Sequence, residues 1–327
     1  MTDTPTTSTV ADLRDACEVI AAGIEGAGVG VGNPEPEDEE SFREVCLAHG
    51  VAPLLHSQLR DAEHEDTPRI AWLRNQHEHN TRRVYLLRGE LRAILLRFAA
   101  QGVEVMPMKG IAVAELLYSD PGARPMNDLD LLVKPNQLEW AGRVLAELGY
   151  ERVFAGWKHV KFLKSGNRTV ADASCEHPDN PRPVEVHPRC VEQIRDFEAD
   201  LTDTVWTTAC EGTVAGEPAL TMAPDAQWLY TLAHATHHIL LNNFRLIQLV
   251  DLRRLLPLVG NAAGALGTLD ARATVAPLAL LHRYFPDGQT ALLLSAAKNR
   301  VSKSFGDWAE SLDLYNVCFL NPVSWRG

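Results

Sequence analysis

The chain lacks any apolar run approaching the 18 or so residues that a membrane-spanning helix needs, so no span is expected. It also lacks a Cys-x-x-Cys pair. The six cysteines, Cys17, Cys46, Cys175, Cys190, Cys210 and Cys318, lie far apart in sequence, which excludes a metal knuckle or redox pair built from near neighbours. A chain of 327 residues has no need of disulfide staples, so a reduced, cytoplasmic compartment is expected. The first nine residues have neither a basic segment nor an apolar one and do not read as a secretory signal. There is no Gly-x-x-x-x-Gly-Lys phosphate loop, no Gly-x-Gly-x-x-Gly, no Gly-x-Ser-x-Gly and no internal repeat. Positive charge is in deficit: the net charge of -12 disfavours long nucleic acids and anionic membranes as partners, because their phosphates would be repelled. Nothing in the sequence sets an oligomeric state.

What is present is ordinary globular material, with 46% apolar residues to build a core. Residues 1–9 read as a disordered tail. Residues 10–24 place Val10, Leu13, Cys17, Ile20 and Ile24 at helical spacing. A Gly-rich and acidic linker is expected over 26–40, then short helices over about 40–48 and 51–62, then a long helix from Pro68 to Ala100 with an apolar stripe. The pattern changes after Gly102. Val103–Met108 and Asp128–Val133 read as buried strands, 111–118 and 135–148 as helices, and 150–154, 159–163, 170–174 and 184–187 as further strands. The remainder is mainly helical, with a possible hairpin arm over 214–222 and helices over 228–241, 244–259, 269–285 and near 304–314. The expected class is α+β: a small mixed β-sheet core over 103–190 with its helices on one side, flanked by an N-terminal helical region (10–102) and a mainly helical C-terminal one (191–327).

The chemistry concentrates in Asn127-Asp128-Leu-Asp130-Leu-Leu-Val. Alternate strand residues share a face, so Asp128 and Asp130 project together. Two adjacent carboxylates at the end of an apolar strand repel each other unless a cation sits between them. Mg²⁺ suits one or two such carboxylates plus phosphate oxygens, and two ions can clamp a nucleoside triphosphate for in-line attack. Upstream, Lys109-Gly110 ends a strand and opens a helix, which turns backbone N–H groups toward phosphate, with the Lys109 ammonium beside them. Arg124 offers a second cation. Glu185 and His187 alternate on a later strand, so Glu185 becomes a third carboxylate if that strand lies beside the first pair, either as a metal ligand or as a base for an acceptor hydroxyl.

Lys109-Gly110, then Leu117-Tyr118-x-Asp120-Pro121-Gly122-x-Arg124-Pro125, then Asp128-Leu-Asp130-Leu-Leu-Val, then Leu148-Gly149-Tyr150, then Val-Glu185-Val-His187, resembles in combination the bacterial family of uncharacterised nucleotidyltransferases within the DNA polymerase β-like superfamily. The resemblance is densest over 103–190. It implies that Asp128 and Asp130 bind both of two Mg²⁺ ions and Glu185 one. It implies an NTP donor, ATP first among them, transfer of a nucleoside monophosphate and release of pyrophosphate, and the acidic chain favours a small-molecule, peptide or protein acceptor. One departure is Gly110-Ile111, where the superfamily usually has Gly-Ser or Gly-Gly. Phosphate binding then falls to backbone amides, Lys109 or Arg124. The changed loop also motivates an alternative, a non-catalytic nucleotide- or peptide-binding protein on the same fold.

His234, His237 and His238 lie on one helix, with His234 and His238 four apart on one face. A zinc-protease helix needs Glu after its first histidine, and Ala235 stands there, so a metal-dependent hydrolase is the weaker reading. Gln227, Thr231, His234, His238 and Arg245 instead form a polar stripe suited to base, ribose or triphosphate. His187 is expected on the same nucleotide side. Lys158, Val160, Phe162 and Lys164 alternate on one face of a basic strand, a candidate for acceptor or phosphate contact. Asp251 and Arg253-Arg254 read as surface charges or a buried ion pair.

Overall fold

The computed structural model describes residues 8–25, 39–59, 67–172 and 177–319. Most of the tail over 1–9, most of the linker over 26–40, the end of the helix over 51–62, and Cys175 lie outside them. Helices α1 (Val10–Glu25), α2 (Glu39–His49), α3 (Ala52–Leu59) and α4 (Pro68–Ala100) come first. Thr67 caps α4, its hydroxyl oxygen accepting from the Ile70 N–H, and Pro68 opens the first turn where no donor is needed. Leu87, Leu91, Ile94, Leu95 and Phe98 of α4 are all buried, each worth roughly 2 kcal/mol of transfer free energy as an upper figure.

Five strands form the central sheet: β1 (Val105–Met108), β2 (Leu129–Val133), β3 (Tyr150–Ala155), β4 (Val160–Lys164) and β5 (Val184–His187), in the order β1-β2-β5-β4-β3. Only the β2–β5 pairing is parallel. Helix α5 (Lys109–Leu117) follows β1 and α6 (Leu138–Glu147) lies between β2 and β3. Leu129, Leu131 and Val133 share one face with Val184, Val186, Val160 and Phe162, and pack with α4 and α6 residues in one core cluster. The opposite face carries Met106, Met108 and Leu132 into a larger cluster shared with the C-terminal helices. The expectation of helices on one side is therefore corrected: at the β1–β2 end both faces are covered, because period-2 alternation gives these strands apolar residues on both faces.

After the sheet come a hairpin, β6 (Val191–Ile194) and β7 (Phe197–Asp200), helix α7 (Thr202–Thr207), a second hairpin, β8 (Cys210–Val214) and β9 (Glu217–Thr221), and then helices α8 (Pro224–Leu240), α9 (Leu246–Leu255), α10 (Ala262–Gly267), α11 (Val275–Tyr284), α12 (Gly288–Lys298), α13 (Lys303–Glu310) and α14 (Leu314–Cys318). The β8–β9 arm starts four residues before the expected one because its turn is at Ala215-Gly216. Over the expected strand at 170–174, residues 170–172 are irregular and 173–174 lie outside the described residues. The Asn180 side chain binds that segment in place of a neighbouring strand: its amide oxygen accepts from the Ala171 and Asp172 N–H groups. No described helix is long and apolar enough to cross a membrane.

Candidate active site

Strand register builds the site. Met108 lies opposite Asp130, Asp130 opposite Glu185, and Glu185 opposite Lys161, so one rung crosses four strands. Asp128 sits just before β2 and Lys109 just after β1. The ligand oxygens of Asp128, Asp130 and Glu185 lie within 4.8 Å of one another. Asp130 and Glu185 are buried and Asp128 half-buried.

Lys109 adopts a left-handed backbone (φ 54°), which costs a side-chain-bearing residue on the order of 1 kcal/mol. Its ammonium donates to Asp130 Oδ1 at 2.6 Å. Gly110 is required by close approach: a Cβ there would lie 2.9 Å from Arg124 Nη1 and 3.1 Å from Met126 Cβ. His187 is fully buried, with Nε2 2.8 Å from the same Asp130 oxygen. Lys161 Nζ lies 2.8 Å from Glu185 Oε1, and His159 Nε2 lies 3.6 Å from Glu185 Oε2.

These neighbours divide the carboxylates electrostatically. Burial raises the proton affinity of Asp130, but the Lys109 ammonium and the His187 hydrogen bond more than reverse it, so its pKa falls well below the usual range. Burial, reinforced by Asp130 and Glu185, pushes the Asp128 carboxyl up to about 7. Burial, helped by the Lys109 charge, holds His187 down at about 4, so the ring is neutral at physiological pH. Burial would pull the Lys109 ammonium down, but Asp130 and Glu192 keep it charged.

A cavity of about 300 Å³ opens over the carboxylates, a volume at the lower end of small-molecule sites. Its far wall belongs to α8 and the start of α9, where Gln227, Thr231, His234, His238 and Arg245 line it as the stripe anticipates. Two of the expected nucleotide contacts have their cations already engaged. Arg124 is clamped on Asp251, with Nη2–Oδ2 at 2.7 Å, and Tyr118 Oη donates to Asp251 Oδ1 at 2.7 Å. Arg124 Nη1 also donates to the Pro125 carbonyl at 2.9 Å. Arg245 donates to the carbonyls of Ala48 and Leu47 at 3.0 and 3.1 Å, closing the end of α2. The basic strand also turns the other way from its expected contact face. Val160 and Phe162 are buried in the core beneath the sheet, and Lys161 points at Glu185.

Two residues were missed by sequence reasoning. Glu192, on β6, is fully buried and bonded to Lys158 Nζ, to His234 Nδ1 at 2.8 Å and to Tyr230 Oη at 3.1 Å. Its three partners all line the cavity. Its only signal was a carboxylate inside the short segment Cys-Val-Glu-Gln-Ile. Arg83, on α4, is 1% exposed and donates to five carbonyls: Met126 (3.0 Å), Asn127 (2.7 Å), His177 (3.0 Å), Asn180 (3.1 Å) and Pro181 (2.8 Å). It thereby ties the loop entering Asp128 to the loop entering β5. It follows Arg82 in a polar stretch of α4, and its only signal was its place four residues before Leu87 on the buried face.

The chain belongs to the family of uncharacterised nucleotidyltransferases, whose profile matches residues 35–279. No curated protein matches it significantly. Among solved structures, the chain is similar to the antibiotic-resistance factor ANT(2'')-Ia at 13% identity, over 54% of this chain and 85% of that one, with a TM-score of 0.37. It is also similar to an antigenic nucleotidyltransferase-like protein from Paracoccidioides brasiliensis at 17% identity, over 67% of this chain and 94% of that one, with a TM-score of 0.38.

Proposed function

We propose that this nucleotidyltransferase moves a nucleoside monophosphate from an NTP, ATP in the first instance, to a hydroxyl of a small-molecule, peptide or protein acceptor. The acceptor oxygen bonds to the α-phosphorus, the α–β bridging oxygen leaves with pyrophosphate, and the acceptor proton passes to a carboxylate of the cluster. The carrying observation is a charge imbalance. Lys109 neutralises Asp130, Lys161 neutralises Glu185 and Lys158 neutralises Glu192. Among the described residues Asp128 alone of these four has no such partner, and burial beside two carboxylates pushes its pKa up to about 7. The donor set fits a hard divalent cation, since it is all oxygen and one positive charge short.

Asp128, Asp130 and Glu185 would hold two Mg²⁺ ions, which when bound neutralise the triphosphate and favour the ionised acceptor oxygen. The protein contributes position and charge. Lys109, on its strained turn, is placed to pass from Asp130 to a phosphate oxygen. His234, fixed by Glu192, and His238 form the wall against base and ribose. The acidic chain favours a compact acceptor over a long nucleic acid.

The test is thermal melting with Mg²⁺ and each NTP, followed by pyrophosphate release with acceptor fractions. A cognate NTP at about a hundred times its Kd stabilises by about 2.7 kcal/mol, a shift of several degrees. Asp128→Asn and Asp130→Asn should abolish it. Wild-type melting unmoved by Mg²⁺ with any NTP would overturn the proposal, and binding without pyrophosphate release for any acceptor would favour a non-catalytic binder.

A further inference from the structure

The geometry points to a second cation position, of a different chemical class, formed by His159, His187 and Glu185: a seat for a first-row transition ion of the Mn²⁺-to-Zn²⁺ series in preference to Mg²⁺. It rests on the transferase reading for its place beside the oxygen-only group, with which it shares Glu185.

The spacing makes the case. His159 Nε2 lies 3.6 Å and His187 Nε2 3.9 Å from the same atom, Glu185 Oε2. One ligand atom from each of the three residues falls within 4.8 Å of the others. Separations of 3.6 and 3.9 Å are too long for hydrogen bonds. They do match two ligands on one ion: with bonds of about 2.1 Å, ligand atoms sit about 3.0 to 4.2 Å apart for angles between about 90° and 180°. The two oxygens of Glu185 are divided accordingly. Oε1 is taken by Lys161, and Oε2 is left to the imidazoles.

The rings are aimed as well as gathered. Their centroids are 5.2 Å apart at 51°, and both Nε2 atoms lie within 4 Å of one carboxylate oxygen. The other nitrogen of each ring, Nδ1, is buried with no hydrogen-bond partner, so Nε2 makes the polar contacts each ring has. His187 Nε2 also donates to Asp130 Oδ1 at 2.8 Å, so an ion seated there would displace that proton, moving it to Nδ1, and would have Asp130 at the edge of its ligand set. His159 immediately precedes β4 and His187 ends β5, and these neighbouring strands hold the two rings over the same face.

Donor chemistry then separates the two groups. Asp128, Asp130 and Glu185 present oxygen alone, which suits Mg²⁺. Two neutral imidazoles with one carboxylate suit borderline ions, which Mg²⁺ does not rival on nitrogen. A bridging Glu185 lets both positions share one carboxylate.

The test uses full-length protein and Co²⁺ as the probe, read by its visible absorption, with Mg²⁺ as competitor. Wild type should bind about one Co²⁺ that a hundredfold excess of Mg²⁺ does not displace. His159→Gln should weaken Co²⁺ binding by about tenfold or more while melting as a folded protein. Asp128→Asn, outside the set, should keep the Co²⁺ spectrum. No Co²⁺ bands, displacement by equimolar Mg²⁺, or an unchanged Co²⁺ affinity in His159→Gln would overturn the inference. If Mg²⁺ with NTP still shifts the melting of wild type, the transferase reading survives that failure. If Co²⁺ binds as expected but no NTP shifts the melting, the transferase reading fails and the histidine site stands.

Discussion

Arg83→Met should be among the most damaging single changes outside the carboxylates. Arg83 is 1% exposed and reaches five carbonyls across two loops, all at 2.7–3.1 Å. Methionine keeps much of the stem and its packing but removes every donor. A charged hydrogen bond contributes about 1.5–3 kcal/mol, and a buried carbonyl left unpaired costs about 1–3 kcal/mol. Five independent losses would exceed the whole stability of an ordinary domain, so they cannot simply add. The loops will relax and admit water to some of these carbonyls. A net loss on the order of 3–5 kcal/mol follows, which lowers the melting temperature by roughly 10 °C. Arg83→Lys should recover little, because one ammonium with three donors does not span five acceptors. The effect should also reach the site, since Met126 and Asn127 immediately precede Asp128. Nucleotide affinity, measured by titration well below the melting point, should fall even where the variant is fully folded. Differential scanning fluorimetry of wild type, Arg83→Met and Arg83→Lys decides it. If Arg83→Met melts within about 1 °C of wild type, the claim that this residue organises the two loops is wrong.

The buried Arg124–Asp251 pair joins the lead-in loop to α9. Arg124→Met leaves the buried Asp251 charge with the Tyr118 hydroxyl but without its cation and should cost about 3–5 kcal/mol, whereas Arg124→Met with Asp251→Leu should cost clearly less; denaturant midpoints of the single and double variants check this. Gly110→Ala places a Cβ against an Arg124 guanidinium that Asp251 and Pro125 hold still, and should cost about 1–3 kcal/mol with a matching fall in nucleotidyl transfer; unchanged melting and turnover would show that the neighbours yield. Asp128 gives a pH dependence. Its folded pKa is raised to about 7, so the metal-free protein loses stability as pH rises from about 4 to 7, where the folded state must surrender a proton the unfolded state has already lost. A cation needs the ionised form, so Mg²⁺ affinity should climb by up to about tenfold per pH unit below 7 and level off above it. Calorimetry at pH 6, 7 and 8 measures this, and a flat Mg²⁺ affinity across that range would contradict it.

Local patterns in the sequence were enough to locate the elements that bear the site. Alternation through Asp128-Leu-Asp130-Leu places the two aspartates together, and the apolar run behind them marks a buried strand. The α4 helix was legible because Pro68 opens it, Gly102 follows it and an apolar stripe runs along its second half from Val84 to Phe98. The obscure parts are those set by distant partners. Arg124 was visible as a cation, but Asp251 lies 127 residues further on. The same holds for Arg245, whose acceptors on α2 are almost 200 residues away. The basic strand shows a different limit. Period-2 spacing defines two faces without saying which meets the site, and here the apolar pair Val160 and Phe162 decides it by going under the sheet, which leaves Lys161 above. The β6–β7 hairpin was missed because the apolar residues of its first strand, Val191 and Ile194, are three apart and do not alternate, and Glu192 went with it.

Three lysines from two parts of the chain offset the acidity of the site. Asp130, Glu185 and Glu192 are each met by one ammonium, and the histidines nearby are held neutral by burial. A buried carboxylate without a partner would cost several kcal/mol, so these pairs stabilise the closed strands. The pairs are not equally permanent. Lys158–Glu192 lies on the side of the cavity toward α8, and its carboxylate also accepts from His234 and Tyr230. Glu192→Gln should therefore loosen the wall against the nucleotide, raising KM for NTP by about tenfold with a smaller change in kcat, as expected for a group that positions others without touching the reacting atoms. It should also release the His234 ring from its carboxylate, which the ¹H–¹⁵N imidazole resonances report directly. Lys109 and Lys161 pair with two of the three carboxylates of the proposed metal group, so under that proposal both lysines would yield to bound cations and would then be free to meet phosphate. A Glu192→Gln variant that lowered kcat alone, with KM and the His234 resonances unchanged, would put Glu192 with the carboxylates of the reaction and dissolve this division of labour.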